Sequence, residues 1–586
     1  MEDKPSDVLE KQKSIIVKDG CYYYQVGQKQ TLVTNFTMKV LFFIQSNTNP
    51  IRVVELTNNQ GTTIQFDMPA DSMRNADTFC KTLEGKGNYL FNGGKPALSA
   101  LKEHLFKDEK TAIDLMYLGY QKRHNVYSFC NGIFDHSGEF HTPDSNGIAT
   151  VGGKQFYLPL SNNNTSMDDE TEFQPQKLFV HKPGDIKFED WAEAFIDVYG
   201  VKGFIGVCYV LAAANRDIIF DLLHCMAHLF LSGKPQSGKS TFRRGLMIFF
   251  GDEQKPIQLG MGSTQKALSR KLGQFANALV SAEEYKNDID PRLIETLKGI
   301  YDGEGYERAK RSNDNQTHTT SVLSSLVLTG QQLPTRENAL FSRCILLEFG
   351  QTEFKKEEVQ KFEKLRHIQE SGLTHLTGQL FNHHKLIREN FQKTFSEVDH
   401  QLRSRFADRT IADRIINNYA SIITPFLILQ KSGAYDFSFI KWDIMHEIEK
   451  IVADQVEHLN ATTEINQFWS VVKLLIENND VMRASTHYIF RKDKKTHKIC
   501  IGIRIQFVAD LYRDYCLKRR LSNILDDRTL SSYLKLDKAF IPGTHNGGCH
   551  YATVGGVKKS FLYFDMNLLP EDMREIIPDS KEFVNS

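Results

Sequence analysis

The chain has 586 residues, 41% of them hydrophobic and 11% aromatic, with 40 Phe. That is enough apolar material for three or four domains with real cores. Lys+Arg and Asp+Glu each number 72, so no global field draws the protein to nucleic acid or membrane, and any such contact must come from a local basic patch.

The nine cysteines are scattered with no C-x-x-C pair, several inside apolar runs, as expected of reduced core cysteines in a cytoplasmic protein. The start of the chain is polar and charged rather than signal-like. The longest apolar stretch, near Phe204–Ala214, is too short to span a bilayer and fits a buried helix, so no membrane partner is expected.

Residues 1–185 read as an α+β domain. Short β-branched or aromatic strands are expected at Gly20–Val26, Leu32–Phe36, Val40–Ile44, Ile51–Leu56 and Thr63–Phe66. Helical patterns follow at Asp71–Leu83 and Lys95–Leu105, then strands at Val126–Phe129, Gly132–Phe134 and Gln155–Leu158. Tyr and Phe alternating with polar residues suit either a base-stacking platform or an ordinary half-buried sheet. The polar, acidic tract from Ser161 to Glu172 reads as a surface loop or linker before a second domain, 186–355.

In that second domain, helical patterns lead into His228-Leu229-Phe230-Leu231-Ser232, an apolar run. It feeds Gly233-Lys234-Pro235-Gln236-Ser237-Gly238-Lys239-Ser240-Thr241, and a helical Phe242–Met247 follows. This is G-x-x-x-x-G-K-[ST] with strand before and helix after, the pattern of a phosphate-binding loop. Its backbone N–H groups converge on phosphate oxygens, the helix N-terminus adds positive charge, Lys239 reaches the β- and γ-phosphates, and the Ser240 hydroxyl suits Mg²⁺. The expected ligands are ATP and Mg²⁺.

Ser263 is expected to cap the next helix. An apolar strand from Phe275 then ends in Glu283-Glu284. Run parallel to the loop strand, it carries one carboxylate to the metal (Glu283) and a second to the attacking water (Glu284). Asp290-Pro291 opens a helix, and Asp302–Asn315 has the glycines, basic cluster and turn formers of a charged-tip hairpin. Another strand, Ser324–Gln331, ends in polar groups able to meet a γ-phosphate or its water, and Arg343 precedes a last strand.

This order of motifs, from Leu229 to Phe349, resembles the superfamily 3 helicases. These are AAA+ motors of viral and mobile-element replication, here most like the poxvirus D5-like and DUF927-type primase-helicases of phages and mobile elements. The resemblance implies a P-loop core of parallel sheet with helices on both faces, a ring oligomer (a hexamer) and a single-stranded or forked DNA substrate. It implies further that Arg308, Lys310 and Arg311 grip DNA from a pore hairpin. Gln331 stands where the family has a sensor asparagine, with Thr329 as substitute. Arg343 resembles the arginine finger that completes a neighbour's site, where a guanidinium stabilises charge developing on the phosphate.

Residues 356–480 read as helical, with Phe391, Phe395, Val398, Leu402 and Phe406 in register, and with Arg403, Arg405, Arg409 and Arg414 as possible nucleotide sensors. His383-His384 lacks a partner at ligand spacing and reads as surface. Residues 481–586 read as strand, three helices and two strands, an order similar to a winged helix that binds DNA or docks protein. No polymerase-type acid pair stands in the N-terminal region, so a separate primase or initiator is an expected partner. The rival readings are an AAA+ ATPase that remodels protein or acts in phage defence, and a P-loop kinase.

Overall fold

The computed structural model describes residues 13–577 except 47–48, 116, 159–173, 261–263, 306, 310–316, 320, 335–336, 351–355, 371, 407–412, 478–480, 493–497, 520, 522–523, 538 and 544–547. The N-terminal region opens with a three-stranded antiparallel sheet, Lys13–Lys18, Cys21–Val26 and Lys29–Leu32. A six-stranded mixed sheet follows in the order Ile148–Val151, Lys154–Tyr157, Thr111–Asp114, Phe36–Gln45, Ile51–Asn58, Thr63–Pro69. Helices Ala76–Glu84 and Lys95–Phe106 bury Phe79, Leu83, Leu98 and Leu101 against Phe36, Met38, Val54 and Leu56.

Two expected boundaries shift here for local reasons. The run Leu32–Phe36 is not one strand, because Thr34 is buried and its hydroxyl donates to Phe36 O while accepting from Tyr22 N. The helix expected from Asp71 starts as a 3₁₀ turn and becomes α-helical only at Ala76, where the Asn75 side chain accepts from Thr78 N.

The third sheet runs Phe140–His141, Gly132–Phe134, Val126–Phe129, Leu118–Gln121 and Phe275–Ala276. Its last strand lies far beyond residue 185, so hydrogen bonds cross the expected domain boundary. Tyr127 donates its hydroxyl to Asn277 O at 3.1 Å, and Phe179 stacks on both Phe129 and Phe275. Gly119 makes the junction possible: its φ is +87°, and a Cβ there would lie 2.0 Å from Ala276 O.

Five parallel strands form the central sheet, in the order Ile257–Gln258, Leu279–Tyr285, Ser325–Gly330, His228–Gly233, Cys344–Phe349. Consecutive residues of the middle strands are buried, so both faces are covered, as helical crossovers require. The apolar stretch at Phe204 lies in the helix Val201–Ala214, buried from Gly203 to Ala213. Among the described residues no single helix is long and apolar enough to cross a membrane; one bent pair, Val201–Ala214 with Arg216–Leu223, passes only on length and composition.

Helices Lys356–Glu370, Thr374–Asn382, His384–Arg405 and Asp413–Lys431 follow, with Phe391, Val398 and Leu402 turned into the core as their spacing predicts. His384 departs from its expected surface position. It is buried, and its Nε2 lies 3.0 Å from Asp217 Oδ1. Ile444–Glu477 is one 34-residue helix, a spine about 51 Å long at 1.5 Å per residue. Its first half packs Ile448, Val452 and Val456 into the main core, and its second half packs Phe468, Trp469 and Val472 into a separate C-terminal core.

The C-terminal core is closed by the sheet Tyr488–Lys492, Ile499–Ile503, Val557–Asp565, Phe540–Ile541, with His550–Val554 pairing Val557–Asp565 as a hairpin. Two helices, Ile505–Arg519 and Asp527–Leu536, lie between its second and third strands among the described residues, where three were expected. The spine supplies the remaining helical layer.

A methyl group at Gly119 cannot be accommodated without separating Leu118–Gln121 from Phe275–Ala276. Gly119→Ala should cost about 2 kcal/mol or more, read as a lowered melting temperature in thermal unfolding, whereas Gly61→Ala in an open turn should cost less.

Candidate nucleotide site

The loop Lys234–Gly238 leaves the C-terminal end of the strand His228–Gly233 and enters the helix Lys239–Met247. Gly233 has φ +147°, and a Cβ there would lie 2.3 Å from Phe349 O and 2.9 Å from Ser237 Oγ, so a side chain would push the loop off the neighbouring strand. Gln236, at φ 63°, takes the left-handed conformation the wrap demands, and Pro235 lies exposed beside it.

The Lys239 ammonium lies inside this loop, donating to Gly233 O and Lys234 O at 2.7 Å each and to Ser237 Oγ at 3.1 Å. Partial burial lowers its pKa from the usual lysine value. Ser240 and Thr241 begin the first helical turn, Ser240 exposed and Thr241 half-buried. The strand, loop and helix expected from the sequence are all present.

Glu283 and Glu284 lie within the strand Leu279–Tyr285, which is parallel to the loop strand but separated from it by Ser325–Gly330. Pairing between the acid strand and Ser325–Gly330 shifts register between Ala282 and Tyr285, and Glu284 has φ 62°. A bulge of this kind re-aims a side chain and costs backbone strain, a feature over-represented beside functional sites. Glu284 is exposed, whereas Glu283 is half-buried with its Oε1 3.0 Å from Arg243 Nε.

The sequence reading missed Arg243. It lies one turn after Lys239, its side chain is only 3% exposed, and its Nη1 donates to Ser281 Oγ at 3.2 Å. Burial lowers its pKa and Glu283 opposes that shift. The signal was an arginine between Phe242 and Leu246 on a helix whose neighbours are apolar. Through it the phosphate-loop helix is tied to the acid strand. Ser240 Oγ and the Glu283 carboxylate are hard oxygen donors of the kind Mg²⁺ takes, so this donor set fits that ion.

Both glutamines after the next strand are exposed, and Gln332 is the one tied down. The Gln332 Oε1 accepts from the Asn287 side-chain amide at 3.2 Å, and the same amide donates to Leu333 O at 3.1 Å. Thr329 is buried inside the strand. A cavity of about 1110 Å³ opens here, between Ser232, Lys234, Gln331 and Glu348 on the sheet side and His458 and Asp537 on the C-terminal side. Strand ends of a parallel sheet meeting a crevice are where such folds place ligands.

Arg343 stands at the other end of the sheet. Cys344 is in register with His228 and Phe349 with Gly233, so Arg343 is at least about 16 Å from its own phosphate loop at 3.3 Å per residue. Its guanidinium donates to Asp302 Oδ2 at 3.1 Å and Ala339 O at 3.0 Å and lies over the Tyr301 ring. Of the possible nucleotide sensors, Arg403 is bonded to Asp399, Asp413 and Asn417, and Arg405 to Glu449. Arg414 donates to Ser342 Oγ at 3.2 Å and lies over the other approach to Tyr301.

The hairpin expected after Asp302 is present as Glu307–Ala309 paired antiparallel with Thr317–Thr319. Arg308 lies on its first strand opposite His318. Lys310 and Arg311 lie outside the described residues, as does Ser263; the helix Gln265–Gly273 is capped by Thr264, whose side chain accepts from Ala267 N.

No protein-family model matches the sequence, and no curated protein matches it. Among solved structures the chain is similar to the SCCmec type IV Cch active helicase, with a TM-score of 0.50 and 13% identity over 96% of this chain and 99% of that one. The chain has a helicase-like fold. A JCV helicase matches with a TM-score of 0.20 at 14% identity over 49% of this chain and 66% of that one. The NrS-1 C-terminal region matches with a TM-score of 0.23 at 10% identity over 72% and 87%. Neither of these two scores bears on the fold.

Arg243→Ala leaves Glu283 without its counter-charge in a half-buried position. Stability should fall by about 3 kcal/mol, because removing one partner of a buried pair strands the other. Arg243→Lys should recover part of that loss in the same unfolding measurement.

Proposed function

We propose that the protein is an ATP- and Mg²⁺-dependent DNA helicase of the superfamily 3 AAA+ type. It would work as a hexameric ring on single-stranded or forked DNA during replication of a phage or mobile element. The observation that carries this reading is the convergence, at one edge of a five-stranded parallel sheet, of a lysine-filled phosphate loop, a bulged Glu283-Glu284 pair and an anchored amide, Gln332.

The chemistry follows from the residues. The loop N–H groups and Lys239 hold the phosphates and draw negative charge toward the leaving oxygens. Mg²⁺, held by Ser240 and Glu283, would neutralise charge shared between phosphates. Glu284, re-aimed by the bulge, orients the attacking water and accepts its proton. Gln331 and Gln332 flank that water with amide groups.

The register keeps Arg343 away from its own loop, which is compatible with action on a neighbouring subunit's phosphates in a ring. The paired strands Glu307–Ala309 and Thr317–Thr319 support a hairpin reading in which Arg308, Lys310 and Arg311 would grip the DNA backbone. The likeness to Cch, an active helicase, supports unwinding. The N-terminal domain and the winged-helix-like domain would bind DNA or a partner such as a separate primase or initiator.

Lys239→Ala should abolish ATP turnover, measured as phosphate release. Glu284→Gln should keep ATP binding while turnover drops by about 100-fold, the scale of a lost general base. Strand displacement on a forked duplex decides the activity: intact ATP turnover with no unwinding would favour a remodelling ATPase.

A further inference from the structure

Arg343 and the hairpin share one anchor. The helix Pro291–Tyr301 ends at Asp302, Gly303 has a positive φ, and the first hairpin strand Glu307–Ala309 begins five residues after Asp302. Tyr301 is a fixed post. Its ring is buried, its hydroxyl donates to Asn418 Oδ1 at 2.8 Å, and its carbonyl accepts from Met226 N. Arg343 and Arg414 lie over that ring at 5.4 and 5.8 Å. Asp302 is the carboxylate bonded to Arg343, and its side chain is 42% exposed.

On the ring-motor reading above, we propose that Asp302 is a positioning residue. It parks Arg343 at the root of the hairpin and yields it to a neighbouring subunit's phosphates, so that finger engagement and hairpin position change together. Three features fit such a hand-over. The pair is partly exposed, hence weak enough to break. A guanidinium exchanging its single bond to a carboxylate for a phosphate keeps charge-assisted bonding and gains the chance of a bidentate pair. The parked state is also incompletely satisfied, since Arg343 Nε is buried with no hydrogen-bond partner among the described residues. When Arg343 departs, Asp302 loses its counter-ion, and the change occurs at the residue from which the hairpin strand grows.

The test uses the full chain carrying Asp302→Ala, Asp302→Asn, Arg343→Ala, or Asp302→Ala with Arg343→Ala. ATP turnover with and without single-stranded DNA, fork unwinding and melting temperature are measured for each. Arg343→Ala should lose turnover by about 10³-fold, as finger removal does. Both Asp302 variants should keep DNA-free turnover within about twofold while DNA stimulation and unwinding fall about fivefold, and the double variant should be no worse than Arg343→Ala.

Asp302→Asn matches the carboxylate in shape and lacks its charge, so a loss shared by both variants assigns the effect to the ion pair. A purely structural role would lower the melting temperature and leave the stimulation ratio at the wild-type value, which overturns the proposal. Wild-type stimulation and unwinding in either Asp302 variant overturn it as well, provided Arg343→Ala is inactive. Normal turnover in Arg343→Ala instead removes the finger, and with it the ring-motor reading on which the hand-over rests.

Discussion

Because His228–Gly233 runs parallel to both Ser325–Gly330 and Cys344–Phe349, everything that leaves these strands at their C-terminal ends emerges on one edge of the sheet. The phosphate loop, the two glutamines and Glu348 are therefore neighbours by register rather than by contact along the chain. The same register sends Arg343 to the opposite edge, together with His228, whose buried ring contacts Leu297 O and whose pKa is pushed down to about 4 by burial. One edge gathers the loop around Lys239 and the Glu283-Glu284 pair, and the other is a packed junction of Arg343, Arg414, Tyr301 and Asp302.

The two ends differ in how they hold charge. At the phosphate edge the cation Lys239 is wrapped in carbonyl oxygens, and Glu283 is balanced by a buried arginine from the loop helix. Burying either charge alone would be costly, so the helix and the acid strand hold one another in place. At the far end the pairs are partly exposed and individually worth about 0–1 kcal/mol, which makes them exchangeable.

Much of this was legible in the sequence where local pattern and function coincide. The glycine-bounded loop, the apolar strands around it and the helical run Phe391–Leu402 are set by spacing that tertiary contacts do not override. Long-range geometry was not legible. Nothing near Phe275 announces that it completes a sheet begun at Phe140, and Gly119, which permits that pairing, reads as an ordinary glycine. The His383-His384 pair misled for the same reason: the acid partner of His384, Asp217, is distant in sequence and close only after folding. At the site, the sequence placed both glutamates, yet Arg243 and Gln332 owe their roles to side-chain partners that no motif encodes. The C-terminal region, expected to hold three helices, shows two among its described residues, and the long helix that precedes it packs into the same core.

That long helix has a mechanical consequence. Gln455 is buried, donating to Cys344 O at 2.7 Å and accepting from the Tyr419 hydroxyl at 2.9 Å, so the helix is pinned about a third of the way along to the base of an edge strand of the sheet. The stretch beyond it, ending at Glu477, is a rigid arm about 33 Å long at 1.5 Å per residue. A tilt of about 10° at the pin would carry the far end through about 6 Å, one turn of an α-helix. The two cores are thus joined through one continuous helix, so a tilt at Gln455 would be carried into the C-terminal core with its lever arm intact.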